Sequence, residues 1–291
     1  MEIDLVVPFV DNNDKVWQKV FMDYCYRHQD YKRMADMRSQ RFQDNINLIE
    51  YTLRLVEKNM PWVRTIHLLL SNREQAPKHL PSKVKVVLHA QFIPYKYLPT
   101  FNSTTIEMFL HNIPNLSEHF IYINDDMLPT QKLEPSDFFT SDGKIKMSFT
   151  NEQMELDDNL FRHQCINSYK HIEFLVNKAI TSGYSYLKPL HTFTPMIKSH
   201  NMQVVNALGD TIFKQIRAFR TQEQHNQYIY PIYEHFVSNC VPSNIKFYYS
   251  HMNESNFDYL KENQIVCINR FHNDNRKVRQ LALELEKLCQ E

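Results

Sequence analysis

Glycine is almost missing from this sequence: only Gly143, Gly183 and Gly209 occur in 291 residues. A Walker A loop or a G-x-G-x-x-G turn needs glycine wherever the backbone closes on a phosphate, so neither can be built here. Any phosphate must be met by side chains, helix N-termini or a metal. Cysteine is sparse and odd in number (Cys25, Cys165, Cys240, Cys267, Cys289), with no C-x-x-C pair. That argues against a disulfide framework or a structural zinc site and for reduced thiols. No run approaches the roughly 20 apolar residues of a membrane span. The start, Met1-Glu2-Ile3-Asp4, has neither the positive region nor the apolar core of a signal peptide. The expectation is a cytoplasmic chain, peripheral at most on the inner face of a membrane. An excess of charge is also lacking, with 33 Lys+Arg against 33 Asp+Glu. Without a global field to gather polyanions, nucleic acid is not an expected partner.

What is present alternates. Ile3 to Val10 is apolar and β-branched and stops at Asp11-Asn12-Asn13-Asp14. Helical spacing follows from Asp14 to about His28, and again from Asn45 to Asn59, where Pro61 ends it. Thr65 to Leu70, Val84 to His89, Phe120 to Ile123 and Lys144 to Phe149 read as strands, and Thr104 to Ile113 as a short helix. The pattern predicts an α/β fold, Rossmann-like, with a mostly parallel central sheet and helices on both faces. After residue 150 the reading turns helical, over 156–182, 197–219 and 222–238. Strands are expected at Ile245 to Tyr249 and Gln264 to Ile268, and an amphipathic helix at Asn273 to Cys289. That last stripe (Val278, Leu281, Leu285, Leu288) reads as a core face, with membrane or partner docking as the alternative. The expected organisation is one catalytic domain over 1–291, an α/β half over 1–150 and a mainly helical half over 151–291.

Several polar groups stand out against this frame. Phe120-Ile121-Tyr122-Ile123 runs straight into Asn124-Asp125-Asp126. Two adjacent carboxylates after a buried strand repel and are costly to desolvate, a cost that a divalent cation would offset. A polar turn or helix cap is the plainer reading. Thr104-x-x-Glu107 has the spacing of a capping box, and His111 lies one turn beyond Glu107 on the same face. His191 falls in a segment read as irregular, a place suited to a general base. Arg217 and Arg220 end a helix, either as favourable cations there or as a phosphate clamp. Asp4 sits inside the first strand and Asp11 just after it; Arg41 and Asn45 open the second long helix, where Asp44 or Asn45 could simply cap. By spacing alone the sequence reads as an α/β enzyme with an acidic site after a central strand.

Taken together the motifs resemble the Stealth family of capsular and exopolysaccharide phosphotransferases, which are similar to the catalytic part of the lysosomal N-acetylglucosamine-1-phosphotransferase. Four blocks carry the resemblance, in order. The first is Ile3-Asp4-Leu5-Val6 through Val10-Asp11-Asn12-Asn13-Asp14. The second runs from Arg41-Phe42-x-Asp44-Asn45 through Glu57-Lys58-Asn59-x-Pro61-Trp62-Val63-Arg64, Leu98-Pro99-Thr100-Phe101-Asn102-Ser103, Ile106-Glu107, His111-x-Ile113-Pro114 and Leu116-Ser117-Glu118-His119-Phe120 to Asn124-Asp125-Asp126-Met127. The third is Leu187-Lys188-Pro189-Leu190-His191-Thr192 with Arg217-x-Phe219-Arg220, and the fourth is Cys267-Ile268-Asn269.

The resemblance implies transfer of a hexose-1-phosphate or N-acetylhexosamine-1-phosphate from a UDP-sugar to a sugar hydroxyl, with UMP released. The acceptor would be an oligosaccharide or polysaccharide, lipid-linked or free. The 1–150 half would bind the nucleotide sugar and the 151–291 half would complete the site. It implies His191 as the base toward the acceptor, Arg220 as the cation on the transferred phosphoryl group, and Asp125 and Asp126 as holders of a divalent cation, Mg²⁺ or Mn²⁺. Asp126 and Glu107 would join the catalytic set, with Asp4, Asp11, Arg41, Asn45, Asn102 and His111 contacting substrate. The chain departs from the family pattern at Phe9, Asn12, Thr194 and Arg270, the last standing where a carboxylate is usual, with Asp274 nearby as a substitute. A metal-dependent glycosyltransferase releasing UDP, and a non-catalytic module of polysaccharide assembly, are the alternatives.

Overall fold

A computed structural model describes residues 1–36, 46–155, 157–178, 183–251, 254, 256–269 and 275–290. Arg41, Asn45, Arg270 and Asp274 lie outside the described residues. The chain forms two compact units that interleave along the sequence. The Leu5 unit comprises Leu5–Leu88, Ile123–Glu134 and Ile245–Glu291; the His89 unit comprises Met1–Asp4, His89–Tyr122 and Pro135–Asn244. The expected halves on either side of residue 150 are thus divisions of sequence, and the compact units do not follow them.

The fold is α/β with a mostly parallel sheet. In the Leu5 unit the strand Ile3–Pro8, from Leu5 onward, pairs in parallel with Ile66–Leu70, Leu5 opposite Ile66 and Pro8 opposite Leu69. Ile66–Leu70 pairs in parallel with Val84–Leu88 on its other side. Parallel neighbours cannot be joined by a tight turn, and the helices Lys15–Arg27, Tyr31–Asp36 and Leu48–Asn59 make the first crossover. All five residues of Ile66–Leu70 are buried, the continuous burial of a strand covered on both faces. Asp14 caps the helix Lys15–Arg27, its carboxylate accepting from the N–H groups of Val16 and Trp17 at 3.0 Å each. The helix expected from Asn45 begins instead at Leu48, after Asn47 in a left-handed conformation (φ 53°) that makes no side-chain cap.

A second sheet in this unit places Ile265–Ile268 between Phe247–Ser250, in parallel, and Met127–Pro129, antiparallel. The terminal helix Asn275–Gln290 lays Leu281, Leu285 and Leu288 against Leu48, Leu55, Val266 and Ile268. Its apolar stripe is a core face.

In the His89 unit, His119–Tyr122 pairs antiparallel with Thr194–Ile197, and Phe149–Gln153 antiparallel with Ser185–Pro189. The helices Leu160–Val176, Lys198–Phe213 and Ile229–Phe236 pack in the same unit. Here the helical reading of the second half needs correction. Ser185–Pro189 and Thr194–Ile197 are strands that the sequence pattern does not signal, because Pro189 and Pro195 interrupt it. The helix expected over 222–238 is confined to Ile229–Phe236, and the segment before it is an irregular polar loop. Gly209 interrupts the helix Lys198–Phe213 with φ 24°, a conformation that a side chain would strain.

Candidate active site

The His89 unit gathers three of the expected catalytic residues. Glu107 is the last residue of the short helix Ser103–Glu107, whose N-cap is Asn102. The Asn102 side chain accepts from the Thr104 N–H at 3.0 Å, so Thr104 is not the cap and the capping-box reading fails. Glu107 instead turns its carboxylate into the interior. Its Oε1 accepts from the Tyr122 hydroxyl at 3.2 Å and its Oε2 from the Gln227 N–H at 2.9 Å. Burial raises the Glu107 pKa, while Arg220, Ser103 and the bonds from Gln227 and Tyr122 pull it back. Arg220 donates from Nη2 to the Ser103 hydroxyl. A buried carboxylate, a hydroxyl and a guanidinium are therefore linked, and the cation offsets part of the carboxylate's desolvation cost.

His191 follows the strand Ser185–Pro189. Leu190 N–H donates to the Ser148 carbonyl at 2.9 Å and Thr192 N–H to the Leu190 carbonyl at 2.9 Å, bending the chain tightly at His191. The Nδ1 atom of His191 lies 2.8 Å from the Tyr228 hydroxyl. Burial, then the charges of Lys188 and Arg220, lower the His191 pKa to about 4. The ring is uncharged at neutral pH and able to accept a proton. Lys188 itself is ion-paired with Glu152.

Asn102 and Arg217 serve this geometry from behind. Asn102 is 1% exposed and spends both amide hydrogens on the loop that carries Arg220, on the Arg217 carbonyl at 3.1 Å and Gln224 Oε1 at 3.0 Å. Arg217 donates to the carbonyls of Lys214 and Ile216 after the helix Lys198–Phe213, the helix-end role expected of a cation there. Burial, then the charge of Lys198, lowers the His111 pKa to about 4, and its Nδ1 atom is buried without a hydrogen bond. Asp4 is wholly buried, and its Oδ2 accepts from the Ser117 N–H at 2.8 Å.

The acidic pair belongs to the Leu5 unit. Met127 N–H donates to the Asn124 carbonyl at 3.2 Å, so Asn124-Asp125-Asp126-Met127 forms the turn that leads into Met127–Pro129. The Thr52 hydroxyl donates to the Asp125 carbonyl at 3.4 Å, and the Ile268 N–H donates to the Asp126 carbonyl at 2.8 Å. The antiparallel register sets Cys267 opposite Met127 and brings its thiol to the Asp126 carboxylate. Burial raises the Asp126 pKa to about 6, against the Cys267 hydrogen bond that lowers it. The Cys267 thiol is pushed far up by burial and by Asp126, so without a cation it is a protonated donor to that carboxylate. Asp126 Oδ1 is buried without a hydrogen-bond partner. A buried carboxylate oxygen in want of a partner, with a second carboxylate beside it in sequence, is the donor chemistry of a hard cation such as Mg²⁺ or Mn²⁺. The residues present therefore fit the expected metal.

Asp11 ends up at the carboxyl end of the first strand, its Oδ1 accepting from the Asn13 N–H at 2.8 Å. Two residues of the second block act structurally. Asn59 donates from Nδ2 to the Pro129 carbonyl at 2.7 Å, and Trp62 from Nε1 to the Leu133 carbonyl at 2.7 Å, tying the segment after the acidic turn to the helix Leu48–Asn59. Sequence reading missed Tyr228, Gln227, Tyr122 and Ser103 as partners of the candidate catalytic groups. A tyrosine in an apolar pattern reads as core, and only the fold brings its hydroxyl to a histidine.

Residues 41–147 match the family model described as Stealth protein CR2, conserved region 2. The chain is similar to a capsular polysaccharide phosphotransferase, LcbA, of Neisseria meningitidis, 30% identical over 300 residues that cover 94% of this chain and 78% of that one. It is 36% identical over 204 residues to the capsular polysaccharide phosphotransferase cps12A of Actinobacillus pleuropneumoniae, covering 68% of this chain and 53% of the relative. It is 39% identical over 181 residues to the exopolysaccharide phosphotransferase cps2G of Lactiplantibacillus plantarum, covering 61% and 50%. The chain thus spans about half the length of several of the relatives it matches. Among solved structures, the galactosyltransferase LgtC in complex with donor and acceptor sugar analogs aligns over 99% of this chain and 95% of that one, with 12% identity and a TM-score of 0.39. A likeness that slight carries no inference about chemistry.

Proposed function

The chain belongs to the Stealth family of capsular and exopolysaccharide phosphotransferases, and on that premise we propose that it moves a hexose-1-phosphate or N-acetylhexosamine-1-phosphate from a UDP-sugar to a hydroxyl of a polysaccharide or oligosaccharide acceptor. The observation that carries this reading is the group in the His89 unit. An imidazole held uncharged at neutral pH and a guanidinium linked through Ser103 to a buried carboxylate supply a base and a fixed positive charge. Phosphoryl transfer needs mainly positioning and charge stabilisation, which suits a chain without phosphate-binding glycine loops.

In this reaction the acceptor oxygen attacks the phosphorus that bears the sugar. The bond from that phosphorus to the bridging oxygen of the diphosphate breaks, and UMP leaves with the oxygen. The acceptor proton goes to His191. Arg220 neutralises charge on the transferred phosphoryl group, and Glu107 keeps the guanidinium oriented. A divalent cation held by Asp125 and Asp126 supplies, when bound, further neutralisation of the diphosphate. Asp11, Arg41, Asn45 and His111 are assigned to the nucleotide sugar. Asn102 and Asp4 support the site by position, since their side chains are spent on Thr104, Arg217, Gln224 and Ser117.

The test is the leaving nucleotide. Incubation with UDP-sugars, Mn²⁺ and oligosaccharide acceptors is expected to release UMP and to leave phosphorus in a phosphodiester product. Release of UDP with a phosphorus-free product would instead make the protein a glycosyltransferase. His191→Ala and Asp126→Asn are each expected to lower kcat by about a hundredfold or more, the usual effect of removing one acid–base or charge-stabilising group. Unchanged activity in both would remove this site from the reaction.

A further inference from the structure

We propose that Tyr228 is the positioning residue of His191. Its hydroxyl oxygen accepts the Nδ1 proton of the neutral ring and so reserves Nε2 as the nitrogen that receives the acceptor's proton. The inference rests on the reading of His191 as the base and adds the residue that makes one of its two nitrogens competent.

The geometry comes from a built, buried support. The Tyr228 hydroxyl is 2.8 Å from His191 Nδ1, and Tyr228 is 0% exposed. The two rings meet edge to face, with centroids 6.4 Å apart at 83°. Phe161 meets both edge-on, at 6.0 Å and 84° from His191 and at 5.9 Å and 75° from Tyr228. The Tyr228 backbone is pinned in turn. Its N–H donates to Asn226 Oδ1 at 3.1 Å, and the Asn226 N–H donates to Ser168 Oγ at 3.0 Å on the helix Leu160–Val176. The Asn226 amide also donates to Cys165 Sγ at 3.3 Å. The preceding residue, Gln227, holds Glu107 through its own N–H. Consecutive residues of one loop therefore grip two members of the proposed catalytic set.

A neutral imidazole carries one N–H, and the partner of one nitrogen decides which nitrogen keeps it. A phenol can donate or accept. If Tyr228 donated to Nδ1, the proton would sit on Nε2 and the ring could not act there as a base. Proton acceptance at Nε2 requires an Nδ1–H, and Tyr228 is the oxygen in place to take it. Once Nε2 is protonated, the Nδ1–H to Tyr228 bond becomes charge-assisted and steadies the imidazolium. The ring also keeps its orientation through the transfer, because the buried Tyr228 ring and the more exposed Phe161 ring both meet it edge to face.

The experiment has two arms. In the first, ¹⁵N shifts of the His191 ring, assigned by their loss in His191→Gln, are expected to show protonated Nδ1 and a free pair on Nε2 in the full wild-type chain. A mixed tautomer is expected in Tyr228→Phe. In the second, Tyr228→Phe is expected to lower kcat for UMP release by about tenfold or more while KM for donor and acceptor changes by less than about threefold, as for an interaction that touches no substrate and strengthens in the transition state. A mere packing role would leave kcat and the tautomer alone, because phenylalanine keeps the ring. A wild-type His191 protonated on Nε2, or a folded Tyr228→Phe with unchanged kcat, overturns the proposal. If Tyr228→Phe does not fold, the wild-type spectrum decides by itself. Full activity in His191→Ala would remove the parent reading of His191 as base; an Nε2-protonated ring in an enzyme that needs His191 removes the Tyr228 assignment alone.

Discussion

At the scale of the residue, charge and burial decide the chemistry. His191 is uncharged because burial and the cations Lys188 and Arg220 disfavour its protonated form. The part of the acid limb of kcat/KM that reports the His191 base should therefore lie near pH 4, below the protonation of cation-free Asp126 near pH 6. Lys188→Gln removes a positive charge, so the imidazolium becomes less unfavourable, the His191 pKa rises and the acid limb moves to higher pH. A limb that stays put, or moves down, in a rate profile of that variant would mean that Lys188 does not act on His191. Glu107 shows the opposite balance, a carboxylate raised by burial and drawn back by a guanidinium. The sequence made Glu107 and His191 visible as candidates. It gave no sign that Tyr228 or Gln227 would hold them, because a backbone N–H and a tyrosine hydroxyl have no spacing signature. It also suggested the wrong cap: with Asn102 two residues before Thr104, two good capping residues compete, and Asn102 wins by also bonding Arg217 and Gln224.

At the scale of the element, that same asparagine ties a helix start to the loop that carries Arg220. Asn102→Ala should cost about 1–2 kcal/mol for the cap alone, with more from the lost bonds to Gln224 Oε1 and the Arg217 carbonyl. It should lower kcat together with the melting temperature; a variant with full stability and full activity would show that the tie does not matter. The terminal helix offers a plainer case. Leu281 is 0% exposed in a cluster with Leu48, Leu55 and Val266, so Leu281→Ala should cost about 2–5 kcal/mol in a denaturant titration. Arg54→Ala, which breaks an exposed pair between the helix Leu48–Asn59 and Glu286 of the terminal helix, should cost less than about 1 kcal/mol. Elements with long, clean periodicity were legible: Lys15–Arg27, Ile66–Leu70 and Asn275–Gln290 stand close to where the apolar pattern puts them. The failures fall where local pattern and tertiary pairing disagree. Thr194–Ile197 contains Pro195 and is a strand only because His119–Tyr122 pairs with it. The loop before Ile229 looked helical because glutamines, histidine and asparagine do not oppose a helix, yet its polar groups are spent on Glu107, Ser168 and Asn102.

At the scale of the whole molecule, acid stability follows from histidines buried uncharged. His89 and His225 are 7% and 1% exposed, and burial lowers their pKa values to about 4 and about 3. The unfolded chain binds these protons near the ordinary histidine pKa of about 6.5, while the folded chain refuses them until far lower pH. Stability that is fully present above about pH 6.5 is therefore lost as the pH falls toward 4, by at most about 1.4 kcal/mol per pH unit for each group. Denaturant midpoints measured from pH 7 to pH 4.5 should decline, and His89→Gln should flatten the decline; a midpoint independent of pH over that range would refute the assignment. Among the described residues no helix is long and apolar enough to cross a membrane, in agreement with the sequence reading. By itself the sequence determined the α/β class, the family and the residue types available for chemistry, because apolar periodicity and the order of motif blocks are properties of the chain alone. Only the tertiary structure decided that the two compact units interleave, that Asn102 caps and Asp126 Oδ1 lies buried without a bond, and that Tyr228 meets His191, because such outcomes depend on contacts between residues tens of positions apart, which no local pattern encodes.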